Sequence, residues 1–229
     1  MTRAFAALFS AAIGLGLAAA FAAGPVAAQA AGKPMLQLDR QLQAIVADQS
    51  KPLASLSALA IRDGKIVYQQ SFGYRTIDPA GGGNSLPADN HTLYRVASVS
   101  KLVTGIGVLH LVDQGKLDLD ADIGNYLGFA VRNPHFPDVA ITTRMLLTHT
   151  SSLRDEGGYS FPADVSLRSV LLPAGPHYGK GLQWADTSGD SERAPGKYFE
   201  YCNLNWGVLG SIIEAVSGQR FDRYMRQAV

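Results

Sequence analysis

The dipeptide Asp63-Gly64 separates two strand-like runs, residues 56–61 and 66–68. A tight two-residue connection needs positive φ at both positions, so these runs are predicted to pair as an antiparallel hairpin. That excludes an all-helical chain and places strands early. Gly73-Tyr74-Arg75 closes the second strand, and residues 79–84, with three consecutive glycines, read as a loop. Helical patterns surround the hairpin. Leu36, Leu38, Leu42, Ile45 and Val46 predict an amphipathic helix ending near Asp48. Val103, Ile106, Leu109 (or His110) and Val112 recur at near-helical spacing, predicting a helix over 98–114 stopped by Gly115. Residues 141–148 read as a short buried helix. Leu204, Val208, Ile212 and Val216 predict another, stopped by Ser217-Gly218, and Phe221, Tyr224 and Met225 begin a last one. A lone hairpin is marginal in water, so it is expected to need more strands or helix cover. The stretch 154–197 carries few periodic signals and suits a wall or lid over a site.

The chain has 229 residues, 47% hydrophobic and 17% charged, which fits a globular protein with a sizeable core. The net charge of +1 comes with no Lys/Arg cluster, so no nucleic-acid partner is expected. Five scattered histidines, no H-E-x-x-H and a lone Cys202 give no support for a metal site or an internal disulfide. No cofactor is implied. At the N-terminus Thr2-Arg3 precedes an apolar run over 4–23, then the breaker Gly24-Pro25 and the small-x-small Ala28-Gln29-Ala30. That order reads as a secretory signal peptide, residues 1–30, ahead of a mature domain over 31–229. The protein is then expected to be exported, periplasmic or secreted, with no stable membrane insertion after cleavage. An uncleaved anchor is the alternative, because the run approaches the ~20 residues that span a bilayer.

Chemistry enters at Ser98-Val99-Ser100-Lys101, an S-x-x-K. At the start of a helix, residues i and i+3 share a face, so the Ser98 hydroxyl and the Lys101 amine can meet. A serine is a poor nucleophile until its proton is taken, and a lysine with a lowered pKa can take it. The helix N-terminus adds positive potential where negative charge develops. Alone the motif is weak, since an S-x-x-K arises by chance roughly once in a chain this long. Tyr201-Cys202-Asn203 is a Y-x-N just after the turn-forming Pro195-Gly196 and just before the 204–216 helix. A tyrosine beside a lysine can become phenolate-like and act as general base, and an asparagine amide can bind a substrate carbonyl. As isolated letters, Tyr201 would be a core aromatic.

Four blocks extend the pattern in order: residues 94–101, 109–120, 141–153 and 195–203. Together they resemble the β-lactamase and penicillin-binding-protein superfamily, specifically the hydrolases related to class C β-lactamases, D-amino-acid peptidases and family VIII esterases. The resemblance covers about residues 55–229. It implies an α+β, β-lactamase/transpeptidase-like fold, with an antiparallel sheet flanked by helices plus a helical region. It implies an acyl-enzyme on Ser98, assisted by Lys101 and Tyr201, with Asn203 binding substrate and backbone N–H groups, one from Ser98, stabilising the oxyanion. The substrate would be a β-lactam, a D-amino-acid peptide or an ester. His149, in Leu-Leu-Thr-His-Thr, is expected to be structural.

Three features depart from the pattern. Members carry a third motif, Lys-Thr-Gly or His-x-Gly, on a strand after Y-x-N. Nothing after Asn203 fits, and His177-Tyr178-Gly179 precedes Y-x-N in the loop-rich stretch. The chain therefore reads as the first part of a longer protein, with the C-terminal strands missing. A non-catalytic protein that at most binds cell-wall peptide is the alternative function. Ser152 also stands where relatives usually have glycine, and Cys202 where serine or alanine is commoner.

Overall fold

The computed structural model describes residues 33–81, 83–186 and 191–229; the proposed signal peptide lies outside the described residues. The hairpin forms where Asp63-Gly64 demands it. Strands β1 (Ser55–Arg62) and β2 (Lys65–Thr76) pair antiparallel, with Asp63 at φ 50° and Gly64 at φ 71° in the turn. A third strand, β3 (Leu86–Pro87), adds to the far side of β2, giving the order β1-β2-β3. Its two residues are too few to show any periodicity, which is why the sequence does not reveal it. Helix α1 (Lys33–Ala47) contacts both long strands, and the buried Tyr68 donates a 2.6 Å hydrogen bond to its Asp39. These elements make one compact unit, ending at Tyr94.

The second unit, Arg95–Val229, is helical. A 3₁₀ turn (Ala97–Val99) runs into α2 (Ser100–Asp113). Five further elements are short: α3 (Gly124–Leu127), α4 (Thr143–Leu147), α5 (Leu167–Leu171) and two more 3₁₀ turns. Then come α6 (Leu204–Ser217) and α7 (Phe221–Ala228). Helix α6 is the centre, in contact with α2, α3, α4 and α7. Its Val208, Leu209, Ile212 and Ile213 are fully buried, against a core that includes Val108, Leu111, Ile123, Ile141, Leu146 and Leu153. Gly218 at φ 68° ends it in the left-handed conformation that glycine adopts most readily.

Helix α2 forms as its spacing predicts, yet its buried residues are Gly107, Val108 and Leu111. Val103, Ile106 and Leu109 are exposed. The helix is apolar on all sides, so periodicity locates it without choosing the buried face. The 154–197 stretch is less loose than its composition suggests. It contains α5, Leu153 pairs with Trp184, and the buried Gln183 donates a 2.6 Å hydrogen bond to the Val170 carbonyl.

Ser152, the departure from glycine, sits at φ 64° and is buried. A side chain there is strained by about 1–2 kcal/mol, which explains why glycine suits the position. The hydroxyl offsets part of this by accepting a 3.1 Å hydrogen bond from the buried Asn133 amide, which also donates to the Ala185 carbonyl. Ser152→Ala keeps the strain and loses the hydrogen bond, whereas Ser152→Gly loses both. The glycine variant is therefore expected to be the more stable of the two by about 1 kcal/mol in urea unfolding.

Candidate active site

Ser98 lies in the 3₁₀ turn at the head of α2, exposed at the surface. The residue before it, Ala97, has φ 44°, a left-handed conformation that costs a non-glycine residue energy and turns the chain sharply into the helix. One turn on, Lys101 projects from the same face, and its Nζ donates to Ser98 Oγ at 3.0 Å. Tyr201 and Asn203 arrive from the segment that enters α6, which packs on α2. Ser98 Oγ and Tyr201 Oη are 2.8 Å apart, and Lys101 Nζ donates to Asn203 Oδ1 at 2.8 Å. The four residues singled out in the sequence thus meet in one hydrogen-bonded cluster across more than a hundred residues of chain.

Charge shapes the cluster. The Lys101 ammonium lies 5.0 Å from the centroid of the Tyr201 ring and 5.9 Å from that of Trp206. Lys101 first, and then the hydrogen bond with Ser98, pull the Tyr201 phenol below its ordinary value near 10. Lys101 can only donate, so while it is an ammonium bonded to Ser98 Oγ the serine proton is free to point at Tyr201 Oη.

Three residues support this cluster, of which the sequence drew attention to His149 and Cys202 but not to Asp155. His149 is buried and stacks on Tyr201 with ring centroids 4.5 Å apart. Its Nδ1 accepts from the Cys202 N–H at 3.0 Å. Its placement agrees with the structural role expected from the sequence. Cys202, in the middle of Y-x-N, is fully buried, and burial pushes its thiol up to about 12, so it holds no thiolate at neutral pH. Asp155 had no signal at all: its carboxylate accepts from the Asn203 and Leu204 N–H groups and from Asn203 Nδ2, partners about fifty residues away. Burial pushes this carboxyl up, but those bonds together outweigh it and hold it below the ordinary carboxylate range. The 154–197 stretch therefore does reach the site, through its second residue.

Burial first, and then the Lys101 charge, depress the pKa of His149 below its ordinary 6.5, with the Asp155 carboxylate acting against them. The Cys202 N–H works with burial, because a protonated Nδ1 would face a donor. A histidine with a depressed pKa binds fewer protons folded than unfolded. Its contribution to stability is complete above about 6.5 and is lost as pH falls below that toward the depressed value. The melting temperature is therefore expected to drop as pH falls below about 6.5, and a His149→Phe variant to show a flatter dependence there.

Among the described residues, no group of three or more His, Cys, Asp or Glu side chains could hold a metal ion. No helix among them is long and apolar enough to cross a membrane.

Comparison with known proteins accords with this geometry. Protein flp of Staphylococcus aureus (strain N315) is 27% identical over 169 residues, 74% of this chain and 31% of its own length. Among solved structures, the octameric penicillin-binding protein homologue from Pyrococcus abyssi superposes with a TM-score of 0.64 at 24% identity, over 84% of this chain and 41% of that one. EstCE1, a hydrolase with promiscuous acyltransferase activity, gives a TM-score of 0.61 at 24% identity, over 84% of this chain and 50% of that one. The chain thus spans about a third to a half of the proteins it matches. Both solved structures share its fold. The profile of the Beta-lactamase family matches residues 38–229, nearly all of the described chain, and the protein belongs to the Beta-lactamase family.

Proposed function

We propose that this protein is a serine acyl hydrolase that acts through an ester on Ser98. The observation that carries the reading is the Lys101–Ser98–Tyr201 contact set, at 3.0 and 2.8 Å. Ser98 Oγ attacks the carbonyl carbon of an ester, amide or β-lactam while its proton passes to Oη of Tyr201, which enters the step as its phenolate. The Lys101 ammonium lowers the cost of negative charge on that phenol and on Oγ. The Ser98 N–H is one donor to the oxyanion. Tyr201 then returns the proton to the leaving oxygen or nitrogen as the carbonyl re-forms, leaving acyl-Ser98. Water adds to the acyl carbon with its proton going to Tyr201, and Ser98 Oγ leaves, recovering a proton as the acid departs. Asn203 is proposed to contact the substrate carbonyl. No metal or cofactor enters these steps.

The substrate class and location are part of the proposal. Esters, D-amino-acid peptides and β-lactams share the first half of the mechanism. The fold shared with a hydrolase and with a penicillin-binding protein homologue is compatible with acyl-transfer chemistry and does not choose among the three. Export behind a signal peptide over residues 1–30 is expected to leave a mature N-terminus near Ala31, which N-terminal sequencing checks.

The test is turnover of a p-nitrophenyl ester, a D-alanyl peptide and a penicillin by the parent chain and by Ser98→Ala. Turnover of at least one by the parent and none by the variant supports the reading. A folded parent that turns over none of them contradicts it and leaves a cell-wall peptide binder.

A further inference from the structure

Asp155 hydrogen-bonds Asn203 of the cluster, and none of its described hydrogen bonds goes to Ser98, Lys101 or Tyr201. Its two oxygens are divided between two tasks. Oδ1 accepts from the Asn203 N–H at 2.8 Å and the Leu204 N–H at 3.0 Å, capping α6, whose N-cap residue Asn203 makes no side-chain cap of its own. Oδ2 accepts from Asn203 Nδ2 at 2.8 Å and again from the Asn203 N–H at 3.0 Å. The thiol of Cys202 adds a 3.3 Å contact to Oδ1.

The second task has a consequence for chemistry. An ionised carboxylate only accepts, and a lysine ammonium only donates. The Asn203 amide lies between one of each, with Nδ2 on Asp155 and Oδ1 on Lys101 Nζ at 2.8 Å. Turning the amide over would set oxygen against oxygen at Asp155 and donor against donor at Lys101. Only one orientation satisfies both ends.

We propose that Asp155 is a positioning residue: it fixes the sense of the Asn203 amide and, through it, holds Lys101 Nζ against Ser98. Its effect on catalysis rests on the acyl-hydrolase reading above. The hold on the amide does not.

Two variants separate this role from capping. Asp155→Asn can keep an oxygen at the Oδ1 position and so retain the cap. Its NH₂ then replaces Oδ2 and demands an acceptor, which turns the Asn203 amide over and faces Nδ2 toward Lys101. Asp155→Ala removes cap and orientation together. The experiment compares parent and both variants by thermal melting, by the Asn203 side-chain amide signals in ¹⁵N–¹H NMR (identified by their loss in Asn203→Ser), and by the rate of a fluorophosphonate adduct on Ser98. Asp155→Asn is expected to melt near the parent and well above Asp155→Ala. Its Asn203 amide protons are expected to shift and exchange faster with solvent. Its adduct is expected to form about 10²-fold more slowly, the scale of a misplaced reacting group.

Unchanged Asn203 amide signals in Asp155→Asn would overturn the proposal. So would an unchanged adduct rate in a variant of a reactive parent, or a loss of rate that follows only the unfolded fraction. A parent that forms no adduct defeats the acyl-hydrolase reading instead, and the NMR comparison still decides the role of Asp155.

Discussion

Lys101→Ala is expected to slow acylation of Ser98 by about 10²–10⁴-fold, the range for removing a group that assists proton transfer. Three losses combine. Ser98 Oγ loses the donor at 3.0 Å that stabilises it as its proton leaves. Asn203 Oδ1 loses its partner at 2.8 Å. Tyr201 loses the largest influence depressing its pKa, so the phenol returns toward its ordinary value near 10. The sign follows directly: if Tyr201 accepts the proton, the rising limb of the acylation rate moves to higher pH in Lys101→Ala. Arginine is not expected to rescue it, because a planar guanidinium cannot occupy the point between Ser98 Oγ and Asn203 Oδ1. Time courses of adduct formation across pH check both effects. A loss under tenfold with no shift of the limb would remove Lys101 from the mechanism.

Gly73→Ala is expected to destabilise the α1–β1–β2–β3 unit by about 2–5 kcal/mol, adding left-handed strain to overpacking. Gly73 lies in β2 opposite Ser55, at φ 77°. A Cβ there would stand 2.3 Å from the Ala54 carbonyl oxygen, 2.9 Å from Val46 Cγ1 and 3.0 Å from Ser55 Cα. Two of those three atoms are backbone and cannot swing aside. The same Ala54 oxygen accepts the Tyr74 N–H at 2.8 Å, and the Gly73 oxygen accepts the Ala88 N–H at 2.9 Å, so relief by backbone movement would strain the joints to β1 and β3. Hydrogen exchange of the β1 and β2 amides measures the effect. Protection equal to the parent would show that the approach of α1 to the hairpin is looser than these distances require.

What the sequence reveals divides along physical lines. The hairpin was legible because Asp63-Gly64 leaves the backbone few alternatives, and α6 because Val208, Ile212 and Val216 keep one face while Gly218 stops it. Ser98, Lys101, Tyr201 and Asn203 were legible because their chemistry is carried by short local spacings, and the fold brings the two motifs together. The buried face of α2 was hidden because Leu102, Val103, Ile106 and Leu109 are as apolar as the residues that are buried. Asp155 was hidden for a different reason. Its partners are backbone N–H groups and an amide about fifty residues away, and no local pattern marks a carboxylate whose work is done at that distance. Ser152 shows an intermediate case: the departure from glycine was visible, but its cost became legible only with φ 64° and its bond to Asn133.

The most direct measurement is intact-protein mass spectrometry of the parent chain and Ser98→Ala after incubation with a fluorophosphonate and, separately, a penicillin. Peptide mapping then locates any adduct. One adduct on the parent, mapped to Ser98 and absent from Ser98→Ala, is the predicted result, and the probe that reacts narrows the substrate class. A folded parent that stays unmodified by both probes, or carries an adduct that persists in Ser98→Ala, would contradict a serine acyl-enzyme at this site.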